Sequence, residues 1–242
     1  MKRYLTLLYV LLLVILSACN GKSSQKEENK RLIMVTMEPQ RYFTEAIAGD
    51  KFLVESMVPK GSSPETYDPT PQQLTRLSKS EAYLRIGHIG FEQSWMDRLT
   101  DNAPHMQIFD TSKGVELIHG EGHNHGDHFH AGGVDPHIWN SISNARIIAK
   151  NTFQALITLD KTNENYYLHR YDSLCKVINR TDSVINNIFQ TRKADHAFMI
   201  YHPALSYFAR DYGLHQICIE EEGKEPSPAH LRDLIEICKE EE

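Results

Sequence analysis

Histidine is the residue type that dominates the chemistry open to this chain. The sequence holds 13 histidines, and five of them fall within twelve residues of a tract that also carries glycine and acidic side chains. Imidazole nitrogens bind zinc, copper and nickel, so this density predicts contact with a transition metal. The tract has one large apolar side chain to pack, which predicts a flexible loop that binds ions weakly, as an auxiliary site. The five residues are His119, His123, His125, His128 and His130.

Two single histidines beside prolines are better candidates for a selective metal site, because such a site needs fixed geometry. His137 lies in VDPHIWN, where Asp135 and Pro136 predict a rigid turn. His202 ends the apolar segment AFMIYH and is followed by Pro203. Either residue alone would be interpreted as a hydrogen-bonded structural histidine. Their similar positions, on a chain with a histidine-rich tract, favour metal ligands.

Two loop residues complete the set of candidates. Glu65 lies in the turn-rich segment SSPETYDP, and a carboxylate is an acceptable zinc ligand. His88, in RIGHIGFE, is an auxiliary candidate. The chain has none of the motifs HExxH, GxSxG, GxxxxGKS/T or GxGxxG, which favours a binding protein over an enzyme.

Alternating strand and helix patterns surround these residues. Short apolar runs predict four strands, and helical patterns, some with proline in the first turn, separate them. This rhythm predicts an α/β fold with a mostly parallel sheet. Ligands of such sheets bind outside the carboxyl ends of the strands, where the loops carrying Glu65 and His88 begin. The predicted strands span residues 32–37, 52–58, 82–87 and 106–110, and the predicted helices span residues 39–49, 71–80 and 91–102.

The second half of the chain begins with two predicted helices, at residues 141–159 and 163–192. At 1.5 Å per residue the longer one would extend about 45 Å. The sequence leaves open whether it is a rod along the whole protein or an amphipathic helix packed on one domain. Strand and helix patterns then resume, with strands at 197–202 and 215–220. Residues 195–242 are too few for an independent core, which predicts either an extension of the first sheet or an incomplete second lobe.

The N-terminus has the pattern of a secretory leader. Lys2 and Arg3 precede an apolar run over residues 4–16. This run of 13 residues is shorter than the roughly 20 that a membrane-spanning helix needs. The following Leu-Ser-Ala-Cys matches a bacterial lipobox, in which Cys19 is acylated and becomes the first residue of the mature protein; an ordinary signal peptide cut near the same place is the alternative. The polar residues 20–30 predict a flexible tether.

Composition and charge narrow the function classes further. The 242 residues are 40% hydrophobic, which is enough for a packed core. The formal net charge is −6, or −8 once the leader takes Lys2 and Arg3 with it, so we expect no nucleic-acid partner. Apart from Cys19, three cysteines without CxxC spacing remain, which allows at most one disulfide and favours free thiols.

The motifs, taken in chain order, resemble those of the zinc- and manganese-binding lipoproteins that feed ABC importers. After the lipobox come GSSPETYDPTPQQL, GHIGFEQSW, the histidine-rich tract, VDPHIWNS, YHPALSYFARDYGL and GKEPSPAHLRDLI. The resemblance implies two α/β lobes with mostly parallel sheets, joined by one long rigid helix, with the metal between the lobes. His137 and His202 match metal ligands of the family, and Glu65 stands where the family usually has a histidine. The family's acidic fourth ligand would lie beyond Glu242, so the resemblance implies a C-terminal truncation and an incomplete second lobe.

The resemblance further implies a monomeric, lipid-anchored receptor in the cell envelope that delivers zinc (Zn2+) to an ABC permease. We expect zinc because manganese-type members carry a carboxylate where His202 stands and manganese prefers oxygen ligands; Mn2+ and Ni2+ are the alternatives. A secreted zinc hydrolase and a metal-buffering or adhesin lipoprotein without a transporter are the competing hypotheses. The expected division is a leader at 1–18, a tether at 19–30, an N-terminal lobe at 31–140 with the histidine-rich loop at 119–130, a helical linker at 141–193 and a partial C-terminal lobe at 194–242.

Overall fold

The computed structural model describes residues 30–119, 123–125, 128–130, 133–192, 196–220 and 225–240. The predicted lipobox with Cys19 and most of the predicted tether lie outside this part of the chain. Within the described ranges, no helix combines the length and the apolar character needed to cross a membrane.

Four strands near the start of the described chain form a fully parallel sheet. They are β1 (Arg31–Val35), β2 (Phe52–Ser56), β3 (Ala82–Arg85) and β4 (Gln107–Asp110), in the order β2-β1-β3-β4. The predicted parallel sheet is confirmed. β2 and β3 end two residues earlier than predicted, because the apolar runs continue past the ladder. Met57 and Val58, which follow β2, are 0% and 3% exposed. The apolar run therefore marks buried residues, and burial continues after the last residue of the strand.

Five helices pack on or beside this sheet. They are α1 (Glu38–Ala48), α2 (Pro71–Leu77), α3 (Gly90–Asn102), α4 (Ile142–Leu159) and α5 (Glu164–Arg192). Two of them begin at a hydroxyl cap. The Oγ1 of Thr70 accepts a hydrogen bond from the amide of Gln73 at 3.3 Å, and the Oγ of Ser141 accepts one from the amide of Asn144 at 3.0 Å. Such caps pair amides that the first turn of a helix leaves without a partner.

Both faces of the parallel sheet are buried. In β1, Ile33 and Val35 pack in a core with α1, α4 and α5. Leu32 and Met34, on the opposite face of the same strand, pack in a second core with α2 and α3. This two-sided burial explains why the strands read as continuous apolar runs rather than as alternating patterns. The first lobe is therefore a sheet between two layers of helices.

The long helix α5 connects the two halves of the molecule. Its 29 residues extend about 43 Å at 1.5 Å per residue. In its first half, the fully buried Tyr167 donates a hydrogen bond to Asp160 at 2.7 Å. In its second half, the ring of Phe189 lies 6.4 Å from that of Phe208 and 5.5 Å from that of Tyr212. Helix α5 therefore contacts both halves, as a rod along the whole protein would, and is not an amphipathic helix packed on one domain.

The remaining elements build a second lobe around a sheet of their own. It contains β7 (Ala197–Ile200), α6 (Ser206–Tyr212), β8 (His215–Cys218) and α7 (Pro228–Glu240). β7 and β8 pair in parallel with each other and with no strand of the first sheet. The alternative that these strands extend the first sheet is therefore wrong. The two-lobed α/β fold with a joining helix is confirmed.

Helix α6 ties the second lobe to the first. Tyr207, on α6, is fully buried and belongs to the core of the first lobe. Its hydroxyl accepts a hydrogen bond from the amide of Ile118 at 3.1 Å and donates one to the carbonyl of Asp135 at 2.8 Å. One side chain of the second lobe therefore pairs two backbone groups that flank the histidine-rich segment.

The histidine-rich segment departs from its prediction as a loop without regular structure. β5 (His123–His125) and β6 (His128–His130) pair as an antiparallel ladder, and an isolated bridge joins His119 to Val134 at its base. The sequence signal for this pairing is Gly126-Asp127, a dipeptide typical of two-residue hairpin connections, which stands between the runs HNH and HFH.

The shared hydroxyl of Tyr207 predicts a stability effect. Tyr207→Phe keeps the ring in the core but leaves the partly buried amide of Ile118 and carbonyl of Asp135 without their partner. We expect a loss of about 1–3 kcal/mol in the free energy of unfolding, measured by urea denaturation. Tyr42→Phe is the control, since Tyr42 is 56% exposed and should change stability by less than about 0.5 kcal/mol. Equal unfolding midpoints for the two variants would contradict this account of α6.

Candidate metal centre

A cavity of about 760 Å³ opens at the carboxyl ends of the strands, between the two lobes. The loop after β2 contributes Glu65 to its wall, and the loop after β3 contributes His88. The segment before α4 contributes His137, and the exits of β7 and β8 contribute His202 and Glu220. Loops from both lobes therefore bring candidate ligands to the walls of one cavity.

His137 is held by the residue two positions before it. Asp135 Oδ1 accepts hydrogen bonds from the backbone amide of His137 at 2.9 Å and from its ring Nδ1 at 2.8 Å. Burial raises the pKa of Asp135, but these bonds and one from Ser206 outweigh it, so the pKa lies below its usual value. The ionised carboxylate keeps the proton on Nδ1 and leaves the Nε2 lone pair of His137 free to bind a cation.

His202 lies two residues beyond β7 and faces His137. Its Nδ1 is 2.7 Å from Glu220 Oε1, and its Nε2 is 3.2 Å from the Nε2 of His137. The ring centroids are 5.0 Å apart and the rings are inclined at 75°. Two imidazole nitrogens bound to one tetrahedral zinc ion, at 2.0–2.1 Å each, are about 3.3 Å apart. The pair is therefore spaced as two ligands of a single ion would be.

Glu65 lies against the amino end of α3. Its Oε2 accepts a hydrogen bond from the amide of Gly90 at 3.0 Å, and the amide of Phe91 donates to the carbonyl of Pro64 at 2.8 Å. A Cβ at position 90 would stand 2.5 Å from Oε2 and 2.8 Å from the carbonyl oxygen of Glu65. Glycine at this position is therefore what lets the loop carrying Glu65 approach the helix end.

His88 lies on a loop that the buried Glu92 shapes. Glu92 is 4% exposed and accepts hydrogen bonds from the amides of Ile86 at 2.8 Å and Gly87 at 2.7 Å, and from the hydroxyl of Thr36. Burial raises the pKa of Glu92 in spite of these bonds. Gly87 and His88 both have positive φ angles, of 75° and 58°. The backbone therefore turns sharply here and carries His88 to the cavity wall.

The predicted site residues are only partly brought together. His137 and His202 are in contact, whereas Glu65 and His88 lie elsewhere on the cavity wall. Among the residues that the structure describes, no three histidine, cysteine, aspartate or glutamate side chains are close enough to hold an ion. His119 is exposed at the base of the hairpin. The side chains of the other four histidines of the tract, His123, His125, His128 and His130, lie outside the description.

Sequence reasoning missed both carboxylates that hold the histidines. Asp135 was interpreted as part of a turn, although its spacing of two residues before His137 is the signal of a side chain that can bond the following ring. Glu220 is 18 residues from His202 and carries no local signal. Its position beside His202 follows only from the pairing of β7 with β8.

A family model described as ZnuA, zinc-uptake complex component A, periplasmic, matches residues 33–242. The chain belongs to this family. The resemblance predicted from the sequence is therefore confirmed, and with it the prediction of a metal-binding substrate-binding protein of ABC transporters rather than an enzyme.

Relatives with known names show the same class of protein with different metals. The manganese ABC transporter substrate-binding lipoprotein PsaA of Streptococcus pneumoniae is 30% identical over 239 residues, which are 95% of this chain and 75% of the relative. The iron ABC transporter substrate-binding lipoprotein MtsA of Streptococcus pyogenes serotype M1 is 28% identical over 244 residues, 96% of this chain and 75% of the relative. Both names agree with the predicted extracytoplasmic, lipid-anchored location.

A solved structure supports the fold. The crystal structure of ZnuA superposes with a TM-score of 0.78 at 36% sequence identity, covering 88% of this chain and 79% of that one. The relatives are named for manganese and iron, and the family model is named for zinc uptake, so the comparisons show a metal-binding receptor but not which metal this chain binds.

The contact of Gly90 with Glu65 predicts the effect of one added methyl group. Alanine has the higher helix propensity, yet Gly90→Ala should lower the free energy of unfolding by about 1–3 kcal/mol, because the Glu65 backbone must move. Gly133→Ala is the control, since a Cβ there meets no atom of the described residues within 4 Å. Thermal and urea unfolding measure both variants. A Gly90→Ala protein as stable as the Gly133→Ala protein would show that the loop does not press on the helix end.

Proposed function

We propose that this chain captures zinc outside the cytoplasmic membrane and delivers it to the permease of an ABC importer. The observation that carries the proposal is the facing pair of Nε2 atoms, 3.2 Å apart, with each Nδ1 bound to a carboxylate. Two neutral imidazoles arranged in this way present two lone pairs to one point. A divalent cation satisfies both.

The proposed ligands are His137 and His202, joined by Glu65 from the loop of the first lobe. One oxygen of Glu65 is engaged by the amide of Gly90, which leaves the other for a metal. His88 is an auxiliary ligand on the same cavity wall. Two nitrogens and one oxygen are a common zinc donor set, whereas manganese prefers oxygen ligands and nickel competes for imidazole. The donor set therefore favours zinc over Mn2+, with Ni2+ as the nearer competitor.

The proposed partners follow from the same class of protein. Acylation of Cys19 anchors the chain at the envelope, and the polar residues 20–30 allow the lobes to reach a permease. The metal passes from the cleft to the permease. Import through an ABC permease also needs an ATPase on the other side of the membrane. Permease and ATPase genes beside the gene for this chain would support a transport role over a metal-buffering lipoprotein.

Removal of either histidine tests the proposed site. His137→Ala or His202→Ala should lower zinc affinity at least tenfold, which corresponds to about 1.4 kcal/mol per lost metal bond. Competition titration against a chelator measures the affinity, and His105→Ala, an exposed histidine outside the cavity, is the control. Unchanged affinity in both site variants would sink the assignment. Tighter binding of Mn2+ than of Zn2+ by the unaltered protein would sink the choice of metal.

Deletion of the hairpin separates its role from that of the cleft. The bridge between His119 and Val134 brings the ends of the segment together, so residues 120–132 can be removed by joining His119 to Gly133. The shortened protein should keep its tightest zinc site and its unfolding midpoint, and should lose weaker zinc equivalents in a titration. Loss of the tightest equivalent on deletion would make the hairpin the primary site instead.

A further inference from the structure

Glu220 lies beside His202 because of the register of the second sheet. The last pair of the β7–β8 ladder joins Ile200 to Cys218. Beyond the strands, the amides of Ile219 and Glu220 donate to the carbonyls of Ile200 and Tyr201 at 2.9 Å and 3.1 Å, which keeps the two strand exits side by side. The offset of 18 residues that pairs the strands also separates His202 from Glu220, and their side chains meet at 2.7 Å. The contact therefore joins the two strand exits just beyond the last pair of the ladder.

Within this pair the carboxylate is the buried member. The side chain of Glu220 is 11% exposed, whereas that of His202 is 53% exposed. A carboxylate removed from water needs a charge-assisted or strong hydrogen bond to offset its desolvation, and the Nδ1–H of His202 supplies it. The exposed ring, in turn, has few packing contacts to fix its rotation. Glu220 therefore needs a hydrogen-bond donor, His202 needs a contact that fixes its ring, and the bond between them supplies both.

We propose that Glu220 is the positioning residue of His202, holding the ring as the Nδ1–H tautomer with Nε2 directed at the metal. The proposal rests on the proposed function of the cleft. A neutral imidazole without a fixed partner exchanges its proton between the two nitrogens. A proton on Nε2 would stand between the two facing rings and would have to leave before a metal could bind. Glu220 removes that competition before the metal arrives.

A carboxylate also holds the ring of His137 in the first lobe, but it comes from a different position in the chain. Asp135 bonds the Nδ1 of His137 within a single turn, whereas Glu220 comes from the neighbouring strand exit. Direct coordination by Glu220 is the competing role. Its Oε1 is engaged by the Nδ1 of His202, so direct coordination would have to use Oε2. The two roles differ in the metal-free protein, where only a positioning residue fixes the tautomer of His202.

Substitutions at Glu220 test the proposal through two independent readouts. The first is the tautomer of His202 in the metal-free protein, read from the ring nitrogen shifts in 15N nuclear magnetic resonance spectra at a pH where the ring is neutral. The second is Zn2+ affinity, from chelator competition. The variants are Glu220→Ala, Glu220→Gln and His202→Ala, with Glu236→Gln as the control, since the Glu236 side chain is 69% exposed and forms an ion pair with Lys239.

We expect Glu220→Ala to lose the Nδ1–H tautomer and to bind Zn2+ about 10–100-fold more weakly. Glu220→Gln, whose amide can accept from Nδ1–H or donate to an unprotonated Nδ1, keeps a hydrogen bond but no longer selects one tautomer, so it should also lose the Nδ1–H preference and bind Zn2+ more weakly. It also serves if the alanine variant does not fold. Retention of the Nδ1–H tautomer in Glu220→Ala would overturn the proposal, and so would a tautomer change without a loss of affinity. Failure of the unaltered protein to bind Zn2+ would refute the proposed function alone, because the tautomer is measured without metal.

Discussion

The rest of the molecule must hold two imidazole rings, those of His137 and His202, face to face across the cleft. Their Nε2 atoms are 3.2 Å apart, and two lone pairs at that distance repel each other unless a proton or a metal ion lies between them. The rings keep this orientation because each Nδ1 is bound to a carboxylate, Asp135 or Glu220. One ring belongs to each lobe. Their separation is therefore set by the way the lobes dock and not by local chain geometry.

The docking is built next to the ligands. His137 is followed by α4 and His202 by α6, and Asn140 Nδ2 donates to the carbonyl of Ala204 at 2.9 Å between these two segments. Asp211 of α6 accepts hydrogen bonds from the Ser141 hydroxyl at 2.6 Å and the Ser143 amide at 3.0 Å. A carboxylate is favoured at the amino end of a helix, where amides lack partners. These bonds outweigh the effect of burial and hold the pKa of Asp211 below its usual value. The bonds that join the helices thus fix the distance between the two proposed ligands.

The elements were largely predictable because their signals are local. Apolar runs marked the strands, and the helix predicted over residues 71–80 begins at the same residue as α2, Pro71. His137 and His202 stood out because a proline fixes the backbone beside each. Glu220 could not be found in this way, because its position depends on the register of β7 against β8, which no neighbouring residue encodes. The approach of Glu65 to Gly90 was hidden for the same reason, since it is a contact between two loops 25 residues apart.

The orientation of His137 and the orientation of His202 therefore depend on different parts of the structure. The turn around Asp135 orients His137 by bonds that span two residues, and its side chain is 17% exposed. The orientation of His202 needs the β7–β8 ladder, and that ring is 53% exposed. If the second lobe loses its order, His137 keeps its tautomer but faces no second ring, and one imidazole binds a divalent ion weakly. Tight binding at the proposed site thus requires the ladder of the second lobe and the docking of α6 at the same time, so the affinity of the cleft for metal depends on tertiary structure as well as on the ligands themselves.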